Sequence, residues 1–126
     1  VDAQLILCTG NEEDFDQKLA DFFKNNRIDG VFALDEHASV MAMKYGIKSG
    51  YKIPEELCII GFADGILASR RLSPSLTTVS QHGIEIGEEA AKLLIKRLED
   101  DSEEEPPYET KIIKTVLKER ETTARV

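Results

Sequence analysis

No stretch of this sequence approaches the roughly 18 consecutive apolar residues that a membrane-spanning helix needs. The opening VDAQLILC has neither the basic start nor the small-residue cleavage site of a secretory signal. Basic residues are scarce as well, with 16 lysines and arginines against 24 acids and a formal net charge of −8. Such a chain is not expected to grip nucleic acid itself, because binding to the phosphate backbone depends on clustered cations that release counterions. Arg70-Arg71 is an adjacent basic pair away from the C-terminal end, too little for a basic stripe. Cysteine is reduced to Cys8 and Cys58, both in apolar, strand-like runs where a thiol packs as a small hydrophobe. Two such thiols do not build a disulfide framework, which points to a reducing, cytoplasmic setting. Catalytic signatures are missing too: there is no G-x-S-x-G elbow, no H-E-x-x-H helix, no C-x-x-C pair and no glycine-rich phosphate loop. No histidine is placed by sequence to activate Ser39 or Ser69, and carboxylate pairs in so acidic a chain decide nothing. Neither an enzyme nor a cofactor-dependent protein is expected.

What is present suits one domain. A length of 126 residues, with 41% hydrophobic and 32% charged, has the composition of a globular chain with a single core. The stretch Ile53 to Val79 organises it. Ile53-Pro54 stops the preceding element, because proline lacks an N–H and pushes its neighbour out of the helical region. Leu57 to Phe62 is then a short apolar run, the pattern of a parallel strand covered on both faces. Gly61 and Gly65 bracket its carboxyl end, where ligands bind in open α/β sheets.

The flanking segments repeat the same grammar. Gln4 to Thr9 reads as a buried strand, and Asn11 caps a helix whose apolar stripe is Phe15, Leu19, Phe22 and Phe23, with Glu12, Glu13 and Asp14 at its positive end. Asn25-Asn26 ends that helix, and Asp29-Gly30 turns the chain into a strand over Val31 to Leu34. Asp35 caps a second helix running to about Ser49, with Ala38, Met41, Ala42 and Tyr45 inward and Gly50 closing it. The result is β-α-β-α-β, which predicts a doubly wound, parallel α/β sheet flanked by helices. Ser73-Pro74-Ser75 forces an extended link into a short strand, Leu76 to Ser80. Gly83 opens the strongest helix, with Ile84, Ile86, Leu94, Ile95 and Leu98 on a broad apolar face. The acidic run from Glu99 to Glu105 and Pro106-Pro107 reads as a solvated linker before a last strand, Ile112 to Leu117.

Four segments in fixed order, IPEELCIIGF, SPSLTTVSQ, IGEEAAKLL and KERETT, resemble the effector domain of the LacI/GalR family of bacterial transcription regulators, over about residues 29 to 123. The resemblance implies a periplasmic-binding-protein-like fold, type I, of two α/β subdomains. A small sugar- or nucleoside-like effector lies between them, and an amino-terminal helix-turn-helix that binds operator DNA lies ahead. Residues 1–79 then correspond to the second subdomain, 80–100 to a crossing segment and helix that normally packs on the first, 101–109 to an acidic linker and 110–126 to the returning strand and tail. The helix from Gly83 is accordingly expected to fold back on its own subdomain or to pack against another copy. A homodimer is implied, with residues 66–73 contributing to its surface, Ile66, Leu67 and Arg70 among them.

The resemblance also implies the effector site. Asp35 stands where the family has Asn or Asp reaching the ligand, and a carboxylate there accepts two sugar hydroxyls; it serves equally as a plain helix cap. The frequent family motif G-[FY]-D departs here to Gly61-Phe62-Ala63-Asp64. Ala63 removes the usual hydroxyl clamp, and Asp64 points to the other face if the strand continues. Either the effector is not one of the common sugars, or a loop shift brings Asp64 in. Gln81 and His82 lie near the expected hinge, where Gln81 is placed to touch the effector from below and His82 reads as a solvent-exposed linker residue. Asp35-Glu36-His37 makes no metal site, since adjacent helical residues diverge by about 100°. Two rivals share the pattern in part: the sugar-binding protein of an ABC transporter, and a receiver domain, which would need paired acids where Thr9-Gly10-Asn11 stands.

Overall fold

Asn11 opens the first helix, its side-chain oxygen accepting the Asp14 N–H at 3.0 Å. In the computed structural model, which describes residues 11–62, 64–65, 71–100 and 107–123, α1 runs Glu12–Asn25. Asn26 ends it, its backbone N–H and its side-chain amide both donating to the Phe22 carbonyl. Leu19 and Phe23 are buried, and Phe15 and Phe22 pack beside them, so the predicted stripe is the inner face. The strand expected at Gln4 to Thr9 lies outside the described residues.

Strand β1, Gly30–Ala33, leads to Asp35, whose Oδ1 accepts the Ala38 N–H at 2.7 Å and so caps α2, Glu36–Lys48. Gly50 follows with φ of 86°, the left-handed conformation that stops a helix without a Cβ penalty. Met41, Ala42 and Tyr45 are buried as expected; Ser39, Met43 and Gly46 join them, a wider face than the periodicity marks, while Ala38 is half-buried. Strand β2, Cys58–Gly61, pairs in parallel with β1 from Gly30 opposite Cys58 to Ala33 opposite Gly61. Strand β3, Thr77–Ser80, pairs in parallel with β2. The core is where α1 lies on α2 and α2 on β1 and β2; Leu57, Ile59 and Leu76 at its centre are fully buried.

Two expectations about the end of the chain are corrected. The last strand, β4, is Val116–Lys118 rather than Ile112 to Leu117, and it pairs antiparallel with β3, so the sheet, ordered β1-β2-β3-β4, is mixed rather than wholly parallel. The reason is the helix that precedes it. Helix α3, Gly83–Leu98, has no buried residue and is not among the packed pairs of elements, so it does not fold back onto the sheet. It is lined instead by the returning chain: Lys96 pairs with Glu109, Arg97 lies 4.7 Å over the Tyr108 ring, and Ile112 and Ile113 face Ile86, Ala90 and Leu93 across a groove. Ile112 and Ile113 carry strand-like side chains but serve the helix, which leaves only the next residues to pair with β3. Most of the apolar face stays open, with Ile84 83% and Leu98 75% exposed.

The tail after β4 threads back into the sheet. Thr122 is fully buried beside β2 and β3, its N–H donating to the Ser75 carbonyl and its own carbonyl accepting the Ile59 N–H. Glu121 accepts the backbone N–H and the hydroxyl of Ser75, which holds its carboxyl below the usual range.

Candidate ligand-binding edge

Because β1, β2 and β3 run in parallel, their carboxyl ends open on one edge. Past β1 come Leu34 and Asp35, past β2 come Phe62, Asp64 and Gly65, and past β3 come Gln81 and His82. The amino end of α2 opens on the same edge, with its uncompensated N–H groups and positive dipole end.

Asp35 is exposed and spends Oδ1 on the helix cap, which leaves Oδ2 outside any hydrogen bond with the described residues. Its neighbours diverge. Glu36 turns its carboxylate onto the backbone of Gly65, so closely that a Cβ there would stand 2.0 Å from Oε1; that oxygen is buried and accepts no hydrogen bond among the described residues. His37 is exposed on the helix and tilts against Phe15, ring centroids 5.7 Å apart. Among the described residues no group of three His, Cys, Asp or Glu is set to hold a metal ion.

An aromatic pair flanks these acids. Phe62 extends the ladder one residue past Gly61 by donating its N–H to the Ala33 carbonyl at 2.7 Å. This brings its ring edge-on to Phe32, centroids 6.3 Å apart and planes at 74°, and Phe32 remains 57% exposed. Gly61 allows the close approach of α2 behind them, since a Cβ there would fall 2.5 Å from the buried Ser39 Oγ.

Asp64 faces away from this edge, toward β4. Its Oδ1 accepts from Thr78 Oγ1 at 2.9 Å and from Arg120 Nη2 at 2.8 Å, and its Oδ2 accepts from Lys118 Nζ. Arg120 Nη1 donates in addition to the Leu76 carbonyl and to Thr78 Oγ1. Burial pushes the Asp64 carboxyl up, but the hydrogen bonds from Lys118, Arg120 and Thr78 outweigh it and hold the group well below the usual carboxylate range. Lys118 and Arg120 are not among the residues expected at the site from sequence, where they fall in the returning strand and tail. A signal was there: Lys118, Glu119 and Arg120 alternate, so in extended chain the two cations share a face.

Gln81 is half-buried at the end of β3. His82 takes a left-handed backbone, φ 54° and ψ 50°, where the chain turns into α3. Its Nδ1 is 3.8 Å from the Glu85 carboxylate, and Nε2 is buried without a hydrogen bond among the described residues, so the ring is only partly open to solvent. Ala63, Ile66, Leu67 and Arg70 lie outside the described residues.

Against known proteins, residues 4–123 match the family described as the periplasmic binding protein-like domain. The chain is 43% identical over 96 residues to the ribose operon repressor of Halalkalibacterium halodurans, an overlap of 76% of this chain and 28% of that protein. It therefore spans little more than a quarter of the length of that relative. Two solved LacI family transcriptional regulators share the fold. One, from an Arthrobacter species, is 26% identical with a TM-score of 0.74, over 89% of this chain and 42% of the other. The second, from Enterococcus faecium with bound ribose, is 28% identical with a TM-score of 0.72, over 86% of this chain and 40% of the other.

Proposed function

We propose, since the chain belongs to the periplasmic binding protein-like family of LacI-type regulators, that it forms one wall of an effector cleft and couples a small sugar- or nucleoside-like effector to the operator affinity of a DNA-binding headpiece. The observation that carries this reading is the edge itself. An exposed carboxylate, Asp35, follows β1, and the aromatic pair of exposed Phe32 and half-buried Phe62 lies at the first two of the three parallel strands that end at this edge. A sugar presents hydroxyls to the first and apolar C–H faces to the second, which is the mixture that small-molecule sites supply.

Asp35 and Gln81 contact the effector in this reading, with Ala63 shaping the wall beside them. Residues 1–79 act as the second subdomain, 80–100 as the crossing segment, 101–109 as a linker and 110–126 as the return. Effector bound against the first subdomain shifts the population of relative orientations, and a homodimer built in part on Ile66, Leu67 and Arg70 carries the shift to the headpieces in the cytoplasm. No step of this requires catalysis. The repressor relative and the LacI-family neighbours support a regulator over a transporter's sugar-binding protein.

The test is a thermal-shift and titration series on the full-length regulator with D-ribose, other sugars and nucleosides. Ribose at about 100 times its Kd stabilises the native state by about 2.7 kcal/mol, and Asp35→Ala abolishes the shift. A protein that no sugar or nucleoside stabilises is not the sensor described here.

A further inference from the structure

The wall after β2 is attached to the rest of the fold from outside the edge. Phe62 and Gly65, which follow β2 at the candidate edge, flank Asp64, and the Asp64 carboxylate has both oxygens engaged, by Thr78 of β3, by Lys118 of β4 and by Arg120 of the tail. Side-chain exposure is 13% for Asp64 and 18% for Arg120, so this pair works with little solvent screening; Lys118, at 45%, is the outer member. Arg120 is itself fixed by the Leu76 carbonyl and Thr78, so the cation is held in place before it meets the loop. The same β4 is reached through the segment that lines α3, whose open apolar face sits on the far side of the return.

We infer that Arg120 and Lys118 are positioning residues: by holding Asp64 they set where Phe62 and Gly65 stand, so the last strand, not the loop alone, dictates the shape of the effector wall. Asp64 then acts through the protein and not as a ligand contact. The chain's departure from G-[FY]-D is consistent, because the acid lies one residue beyond the position that would face a ligand and is spent on two cations. The consequence for sugar binding rests on the function proposed above, whereas the placement of the loop does not.

Hydrogen exchange on the full-length regulator tests the placement, comparing wild type with Arg120→Met, Arg120→Lys, Lys118→Met and Glu121→Ala. The last loosens the tail at Ser75 without touching Asp64. Exchange over residues 57–65 is expected to quicken about tenfold in Arg120→Met and severalfold in Lys118→Met, with partial recovery in Arg120→Lys and none of this in Glu121→Ala. Lys118→Met, at a half-exposed position, keeps the test decisive if Arg120→Met does not fold. Unchanged exchange over 57–65, or equal quickening across β1, α2 and 57–65, overturns the inference. D-ribose is the binding probe, and its affinity is expected to fall about tenfold in the two Met variants while Glu121→Ala keeps it. A wild-type protein indifferent to ribose counts against the sugar reading, and the exchange data still decide this one.

Discussion

Thr122 accepts the Thr77 N–H on its hydroxyl at 2.8 Å, and the same hydroxyl donates to the Ile59 carbonyl at 2.7 Å. One side chain from the tail thus fills the place where β2 and β3 have not yet begun to pair. Thr122→Val removes the hydroxyl at nearly constant shape and leaves a buried donor on Thr77 and a buried acceptor on Ile59 unsatisfied. A loss of about 3 kcal/mol is expected in urea unfolding, with Thr122→Ser costing much less.

Two glycines at the ligand edge are expected to respond differently to alanine. At Gly61 the new methyl meets the buried Ser39 side chain at 2.5 Å and Leu76 at 3.1 Å, groups packed on all sides, so Gly61→Ala costs about 2 kcal/mol. At Gly65 the nearest atoms it meets among the described residues are the end of the Glu36 side chain, which can swing away, so Gly65→Ala costs no more than about 1 kcal/mol. Adding Glu36→Ala to Gly65→Ala recovers that cost, and parallel melts of the two single variants and the double variant measure it.

The Asp64 carboxyl, lowered in the folded chain from its ordinary 3.8, ties stability to acid. An unfolded chain takes up the proton as pH falls through that ordinary value, while the folded cluster with Lys118 and Arg120 resists it. The contribution is therefore complete above about pH 5 and fades as pH falls below about 4. Urea midpoints at pH 7 should separate wild type from Asp64→Asn clearly, and the gap should narrow by pH 3. A gap that stays constant would mean that the cluster does not carry the acid sensitivity.

Helix α3 makes a prediction about the chain in isolation. With Leu94 59% and Ile95 53% exposed beside Ile84 and Leu98, the helix offers an apolar surface that binds a hydrophobic dye. Leu94→Glu with Leu98→Glu should cut the dye signal by more than half while leaving the melting temperature within about 2 °C, because these side chains contribute nothing to the core.

The parts of this architecture governed by neighbours in sequence were legible before the structure. Asn11 and Asp35 are short polar residues ahead of apolar periodicity, and both cap the helices they precede. The strand at Leu57 to Phe62 and the edge it opens on followed from a bounded apolar run. What escaped was set at long range. Arg120 meets Asp64 across 56 positions, and Thr122 meets Ile59 across 63, separations at which local pattern carries no information. Ile112 and Ile113 misled because β-branched residues suit a strand and a helix-lining segment alike. At the edge, the positions of Asp35 after β1 and Phe62 after β2 follow from the strand pattern, but the direction of Asp64 depends on where the last strand returns.

The Thr122 bridge has a consequence for the order in which the protein can be made. Translation delivers β2 and β3 well before their junction is complete, since the residue that closes it follows Thr77 by 45 positions. Until then Ile59 and Thr77 hold bare backbone groups at the centre of the nascent sheet. A message cut short after β3 would yield a chain with most of its core and an open seam, a natural substrate for quality-control proteases.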